Sequence, residues 1–240
     1  MQREFLPYSR QVIDDDDIRA VTQTLKSDFL TTGPMVEAFE KDLAHLTGAK
    51  HAVVCANGTA ALHLAYLGSD IGPGDKVIVP ATTFLATANA VRMCGADVIF
   101  ADVDPEHGLM GPLHFKQAIE GRSGQIKAVV PVHLAGQVDD LSTIAQIAGT
   151  HGITVIEDAC HALGSFDQEN NPVGSCAHSL ASCFSFHPVK AIAMGEGGAV
   201  TTNSDALATR LKELRHHGMH KDEQRFLNGH DGPWYYEMSE

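Results

Sequence analysis

Short apolar runs alternate with helical patterns along most of the chain. Five runs are rich in valine, isoleucine or alanine, and each is followed by polar residues or glycine: 51–55, 76–80, 98–101, 127–131 and 154–157. Because these runs are apolar throughout rather than at every second position, they are typical of parallel strands that are buried on both faces.

Helical patterns lie between these strands, at 58–68, 83–94, 112–120 and 139–148. The alternation predicts an α/β fold with a mainly parallel central sheet, right-handed crossovers and helices on both faces. Two helices are predicted before this unit, at 15–27 and 34–46. After it, a strand and a helix are predicted at 199–202 and 204–216.

Composition narrows the class of protein. The chain has 240 residues, of which 44% are hydrophobic, enough for a substantial core in one large domain with or without extensions. Its 17 basic and 30 acidic residues give a net charge of −13, which disfavours nucleic acids and anionic membranes as partners. The first residues show no apolar signal region, and no apolar run reaches the roughly 20 residues of a membrane span, so we expect a cytoplasmic protein.

Three groups of residues raise the question of a metal site or a disulfide framework. The five cysteines are odd in number and contain no Cys-x-x-Cys pair, so we expect reduced thiols in the core. The aspartates at 14–17 are more simply explained as the acidic first turn of a helix. His216, His217 and His220 lie near a predicted helix end, where cations are favoured, and we assign no metal.

Lys190 is the candidate for covalent chemistry. A lysine in a loop is usually a solvated surface charge. Here, however, the loop lies between two apolar runs, Ser185 precedes the lysine by five residues, and a glycine cluster follows at 195–198. An amine in this setting suits a Schiff base with an aldehyde, and we expect pyridoxal phosphate as the cofactor.

Further positions support a cofactor pocket, although each has a simpler explanation. Gly58 and Thr59 follow a strand and open a helix, so their amides can bind a phosphate or only form a turn. Asp158 ends an apolar strand at the carboxyl edge of the sheet, where it can hold the protonated ring nitrogen of the cofactor, cap a helix, or do both. Phe84 can stack on the cofactor ring or belong to the core. The connector 29–34 faces a ligand or forms a turn, and the sequence leaves this open.

The motifs at 57–60, 80–84, 157–161 and 184–190, with the glycines at 195–198, resemble those of the nucleotide-sugar aminotransferases of the DegT/StrS type. The resemblance covers essentially all 240 residues. It implies the fold of aspartate aminotransferase, the type I fold of pyridoxal-phosphate enzymes. On this basis we expect an N-terminal segment, 1–33, with a helix and a substrate-side loop, followed by a cofactor-binding large domain, 34–240, that is incomplete at its C-terminus. The small C-terminal domain of the family would be missing.

The resemblance also implies roles for individual residues. Those placed at the cofactor are Gly58, Thr59, Phe84, Asp158, His161, Ser185 and Lys190. Of these, Lys190 and Asp158 would be catalytic, Gly58, Thr59 and Ser185 would bind the phosphate, Phe84 would stack on the ring, and His161 would contact its phenolic oxygen. Those placed at the sugar nucleotide are Tyr8, Asp28, Phe29, Leu30, Thr31 and Gly58.

Within the family, His161 and the closing motif at 232–238 resemble one branch in particular. That branch transfers an amino group from glutamate to C4 of a UDP-linked 4-keto-6-deoxy-N-acetylhexosamine on the route to pseudaminic acid. The resemblance implies a homodimer whose active sites are shared between subunits.

Two other functions compete with an aminotransferase. A sugar dehydratase of the same fold carries histidine in place of the reactive lysine, so Lys190 disfavours it. A cofactor-binding or regulatory protein that has lost catalysis is the second alternative, because the expected C-terminal parts are absent from this sequence.

Overall fold

The computed structural model describes residues 5–122, 126–228 and 232–239. Its centre is a sheet of seven strands: β1 (His51–Cys55), β2 (Lys76–Pro80), β3 (Asp97–Ala101), β4 (Ile126–Val129), β5 (Thr154–Asp158), β6 (Ala181–Ser185) and β7 (Gly198–Thr202). The strands lie in the order β1-β7-β6-β5-β4-β2-β3. Neighbouring strands are parallel except around β7, which is antiparallel to both β1 and β6. The prediction of a mainly parallel sheet is therefore confirmed.

The helices of the described residues are α1 (Asp15–Leu25), α2 (Pro34–Thr47), α3 (Gly58–Gly68), α4 (Ala86–Met93), α5 (Pro112–Ile119), α6 (Leu141–His151) and α7 (Asp205–Arg215). Short 3₁₀ turns occur at Leu134–Gly136 and Glu223–Arg225. A two-strand hairpin of β8 (Met219–His220) and β9 (Glu237–Met238) lies apart from the main sheet.

Side chains along each central strand alternate between two layers of helices. On one face, Val77 and Ile156 pack in a core with α3, α4 and α7. On the other face, Ile78 and Val155 pack with α5 and α6, and Phe184 packs with α2. Full burial of each such side chain contributes about 1.5–3 kcal/mol, so these two layers hold the sheet in place. The same alternation directs neighbouring residues at a strand end to opposite faces.

α1 begins at an acidic capping box. Oδ1 of Asp14 accepts hydrogen bonds from the amides of Asp16 and Asp17 at 2.9 and 3.1 Å, and the Asp17 carboxylate accepts one from the Asp14 amide at 3.0 Å. The acidic first turn predicted here is thus confirmed. No residue of α1 is buried. The division into segments 1–33 and 34–240 stays a prediction.

Several element boundaries differ from the sequence-based prediction by one to three residues. α4 begins at Ala86 rather than at residue 83, because residues 81–83 form a bend. The Thr83 hydroxyl in this bend bonds at 2.7 Å to the hydroxyl of Thr87 in the first turn of α4. The hairpin of β8 and β9 was not predicted, since strands of two residues are too short to show a periodic pattern. Within the described ranges, no helix is both long enough and apolar enough to span a membrane.

Candidate active site

Asp158 lies at the carboxyl edge of the sheet, where its strand was predicted to end. It is the last residue of β5, and its side chain shares a face with Ile156 two residues before it. Oδ2 accepts a hydrogen bond from Thr87 Oγ1 at 2.6 Å, and Oδ1 accepts one from the amide of Cys160 at 3.2 Å. The residue is only 5% exposed. Because a carboxylate has more lone pairs than these two bonds use, Asp158 can still accept a hydrogen bond from a ligand.

The beginning of α3 lies beside the end of β6. Asn57 caps the helix by accepting a hydrogen bond from the Ala60 amide at 2.9 Å, while the amides of Gly58 and Thr59 have no acceptor within the helix. A Cβ atom at Gly58 would lie 2.7 Å from Cβ and 3.1 Å from Oγ of Ser185. Only glycine lets the helix approach this hydroxyl so closely. The amides, the hydroxyl and the helix dipole together suit an anion.

Lys190 lies in a loop that backbone hydrogen bonds hold in place. The Phe186 amide donates to the Gly197 carbonyl, the Met194 amide donates to the Phe186 carbonyl, and the Lys190 amide donates to the His187 carbonyl, each at 2.8 Å. The lysine itself is half-buried. The loop thus returns the chain to β7 while keeping Lys190 close to the end of β6.

The charge of Lys190 reaches the turn that follows Asp158. Burial, and then the positive charge of Lys190, lower the pKa of His161. Burial raises the pKa of Cys160 well above its ordinary value, a shift that Lys190 opposes without reversing, so the thiol stays protonated. Lys190, His161 and Asp158 therefore belong to one electrostatic cluster.

His161 has a defined donor and acceptor in this cluster. Its Nδ1 atom accepts a hydrogen bond from the Ala135 amide at 3.3 Å. The lowered pKa keeps the imidazole neutral at neutral pH, so its single proton resides on Nε2. The ring can therefore donate one hydrogen bond to a ligand oxygen.

A second buried carboxylate, Glu157, lies on the opposite face of β5. Its Oε2 atom accepts a hydrogen bond from His133 Nε2 at 2.7 Å. Oε1 accepts hydrogen bonds from the hydroxyls of Ser179 and Ser182, the latter at 2.7 Å. Burial pushes the pKa of Glu157 upwards, but the hydrogen bonds and the nearby His133 outweigh burial, and the pKa lies below its ordinary value.

The chemistry of this cluster fits pyridoxal phosphate. Lys190 would supply the amine for the aldehyde, Asp158 a buried carboxylate for the ring nitrogen, and His161 a donor for the phenolic oxygen. The start of α3, which lies against Ser185 through the glycine at position 58, would hold the phosphate. These groups come from three separate segments, 58–59, 158–161 and 185–190, and the folded chain brings them to one edge of the sheet.

Sequence reasoning missed four residues of this region: Thr87, His133, Glu157 and Cys160. Two signals were present in the sequence. A second threonine four residues after Thr83 lies on the same side of a predicted helix. A charged residue inside an otherwise apolar strand, as Glu157 is, requires a buried partner. Neither signal identifies the residue that the side chain contacts, which can be seen only in the folded structure.

Two other predicted residues have exposed side chains. Phe84 is 64% exposed and Tyr8 is 90% exposed. Thr31 lines a cavity of about 920 Å³ between α2, β1 and α7, together with Lys50 and Lys212. Within the described ranges, no hydrogen bond or ion pair joins Tyr8 or residues 28–31 to Lys190, and their substrate contacts stay predictions. Nor do the described residues contain a group of three metal-ligating side chains.

Comparison with known proteins places this geometry in context. Residues 11–239 match the model of the DegT/DnrJ/EryC1/StrS aminotransferase family. The spore coat polysaccharide biosynthesis protein SpsC of Bacillus subtilis is 42% identical over 237 residues, which cover 99% of this chain and 59% of SpsC. The chain thus spans less than two thirds of the length of this relative.

Solved structures agree with the sequence match. Helicobacter pylori PseC, an aminotransferase involved in the biosynthesis of pseudoaminic acid, superimposes with a TM-score of 0.85 at 32% identity, over 98% of this chain and 59% of PseC. The sugar aminotransferase Spr1654 of Streptococcus pneumoniae, in a form with pyridoxamine phosphate, gives 0.86 at 29% identity, over 98% of this chain and 62% of its own. A pyridoxal-phosphate form of the same protein gives 0.84 at 28% identity, over 98% and 61%.

Proposed function

The chain belongs to the DegT/DnrJ/EryC1/StrS aminotransferase family, and from that premise we propose that it carries the lysine half of a pyridoxal-phosphate aminotransferase site. The observation that carries the proposal is the meeting of Lys190, Asp158 and Ser185 at one edge of the sheet, beside the open end of α3. The cofactor, when bound, supplies an electron-withdrawing ring that stabilises negative charge on the carbon next to the transferred nitrogen.

Each residue of the cluster has a distinct task in this reaction. The amides of Gly58 and Thr59 and the hydroxyl of Ser185 hold the phosphate and so fix the position of the ring. The Asp158 carboxylate keeps a proton on the ring nitrogen, because burial strengthens the attraction between the two charges. The Lys190 amine would accept a proton from the amino-acid carbon and deliver it to the C4′ carbon of the cofactor.

Two further residues act on the ring itself. The Nε2–H group of His161 donates to the phenolic oxygen, which favours the ionised form of that oxygen. Phe84 would stack on the ring, and its exposed side chain is free to do so.

For substrates we propose glutamate and a UDP-linked 4-keto-6-deoxy-N-acetylhexosamine, aminated at C4 as on the route to pseudaminic acid. The likeness to PseC and the residues shared with that branch support this choice. The 42% identity to a spore coat polysaccharide protein supports a sugar substrate in the broader sense. Tyr8 and Asp28, Phe29, Leu30 and Thr31 would contact the sugar nucleotide.

We also propose that the protein forms a homodimer with shared sites. Apolar side chains in the loop of Lys190 are exposed, among them Val189 at 40%, Ile192 at 39% and Met194 at 48%. A second copy of the chain would cover them, as exposed apolar patches usually mark an interface. Sedimentation equilibrium tests the pairing, and a monomer at micromolar concentration would contradict it.

The attachment of the cofactor is the decisive test of the proposed function. Purified protein mixed with pyridoxal phosphate should show the visible absorbance band of a lysine-bound cofactor. Lys190→Ala should lack this band, whereas Lys212→Ala, which changes an exposed lysine of α7, should retain it. After borohydride reduction, peptide mapping should place the label on residue 190, and a label elsewhere would refute the assignment.

Amino transfer is measured separately from attachment. The pyridoxamine form should convert a keto-sugar nucleotide in a single turnover, with return of the absorbance band. Cofactor that binds to Lys190 without any conversion would favour the cofactor-binding protein that has lost catalysis.

A further inference from the structure

Behind the candidate site lies a buried, hydrogen-bonded pair of side chains that the proposed reaction does not use. Glu157 and His133 are each 2% exposed, and their side chains bond at 2.7 Å. Removing a carboxylate and an imidazole from water costs about as much as the hydrogen bond between them returns, and an apolar pair of similar volume often stabilises a fold equally well. Stability alone therefore does not account for this pair.

The pair ties the end of β5 to the segment that follows β4. The His133 amide donates to the Asp158 carbonyl at 3.0 Å, and the Asp158 amide donates to the Pro131 carbonyl at 2.9 Å. The His133 side chain then bonds to Glu157, the residue before Asp158. Segment 131–133 is thus joined to two successive residues of β5, by its backbone and by a side chain.

The same segment leads directly into the turn that holds His161. The turn Leu134–Gly136 begins next to His133, and the Gly136 amide donates to the His133 carbonyl at 3.1 Å. Ala135, which donates to His161 Nδ1, has a φ of 55°. This left-handed conformation is unfavourable for alanine and persists only where the surrounding structure enforces it.

We propose that His133 and Glu157 are positioning residues that hold the turn at 134–136 against the end of β5. Through this turn, Ala135 keeps His161 in its Nε2–H form, and the same anchor keeps Asp158 in place. The inference rests on the proposed function for what Asp158 and His161 do to the cofactor. The coupling between the buried pair and the His161 ring is a property of the chain itself.

The test uses cofactor-free protein labelled with ¹⁵N-histidine. The chain has 14 histidines, and the signals that disappear in His161→Gln identify that ring. In the unaltered protein, long-range ¹H–¹⁵N spectra should show His161 in the Nε2–H form alone. In Glu157→Ala, both tautomers should appear. The affinity for pyridoxal phosphate should also fall by about tenfold, the value of one hydrogen bond.

A double variant separates positioning from stability and remains informative if Glu157→Ala fails to fold. His133→Leu combined with Glu157→Met removes both polar side chains at similar volume, so the protein should stay folded. We expect mixed His161 tautomers and weak cofactor binding in this folded protein. If its His161 spectrum and affinity match those of the unaltered protein, the pair is only structural and the proposal is wrong.

Glu40→Gln is the matched control. Glu40 is also a buried carboxylate, 9% exposed, and it accepts hydrogen bonds from Arg215 and from the Val54 amide at the other side of the sheet. Its replacement should lower stability and leave His161 unchanged. An equal change at His161 would mean that any loss of stability disturbs the ring, which overturns the proposal. Because the spectra need no cofactor, this outcome is distinguishable from a failure of Lys190 to bind one.

Discussion

At the scale of single residues, hydroxyl groups donate the hydrogen bonds that hold the buried carboxylates of the site in place. Thr87 has one hydroxyl proton, which it donates to Asp158 at 2.6 Å, while its oxygen accepts from Thr83 at 2.7 Å. The Tyr66 hydroxyl donates to the Thr87 carbonyl at 3.2 Å and so holds the first turn of α4 against α3. The position of Asp158 thus depends on a chain of hydrogen bonds that begins outside the cofactor site.

Thr87→Val tests this dependence with almost no change of shape. The variant leaves Oδ2 of Asp158 without its donor, and we expect a loss of about 1–3 kcal/mol in the free energy of unfolding together with weaker cofactor binding. Urea denaturation and a spectroscopic titration with pyridoxal phosphate measure the two effects. Thr87→Ser keeps the hydroxyl and should keep cofactor affinity; equal affinities for the valine and serine variants would contradict the role of this hydroxyl.

At the scale of elements, β7 determines how closely the site can be packed. It pairs with β1 through Cys55 and Gly198 and with β6 through Ser185 and Gly198, so one glycine lies opposite both strand ends. A Cβ at Gly198 would lie 2.3 Å from the carbonyl oxygen of Asn57 and 2.9 Å from the amide nitrogen of Gly58. A side chain at this position would therefore displace the start of α3.

Gly198→Ala should damage both stability and phosphate binding. The clash is with backbone atoms, which cannot rotate away, and we expect the free energy of unfolding to fall by about 1–3 kcal/mol. Gly149→Ala is the control, since a Cβ there meets nothing within 4 Å in α6, and it should stabilise the protein by about 0.5–1 kcal/mol. Thermal unfolding measures both variants, and an unchanged melting temperature for Gly198→Ala would contradict the close packing.

The elements themselves were largely predictable, because buried parallel strands are apolar along their whole length and the helices between them are periodic. The strand at 199–202 was predicted in the same way, but its apolar pattern does not indicate that it is antiparallel to its neighbours. The groups around Lys190 were predictable from motifs that are local in sequence. The contacts from Thr87 to Asp158 and from His133 to Glu157 were not, because they join residues 71 and 24 positions apart.

At the scale of the whole molecule, acid should weaken the fold. The pKa of Glu157 is lower in the folded protein than in the unfolded chain, so its contribution is present above about pH 4.3 and is lost as the pH falls through the folded value. The pKa values of His63 and His161 are also lowered, chiefly by burial. Their neutral forms contribute to stability above about pH 6.5, and this contribution is lost as the pH falls through their pKa values in the folded protein.

Both effects have the same sign, so the urea midpoint should decline from about pH 6.5 downwards and more steeply below about pH 4. Denaturation curves at several pH values between these limits measure the trend. Glu157→Gln should flatten the acidic part of the curve, whereas His63→Asn should flatten the part nearer neutrality. A midpoint that stays constant down to about pH 5 would contradict the contribution of the histidines.

The place of β7 within the sheet has a consequence for synthesis on the ribosome. The strand next to β1 is the last of the seven to be translated, and their pairing joins His51 to Thr202. A nascent chain that has emerged only as far as Lys190 holds every earlier strand but leaves β1 without a neighbour. The start of α3 therefore gains its close contact with Gly198 only after Lys190 has been made.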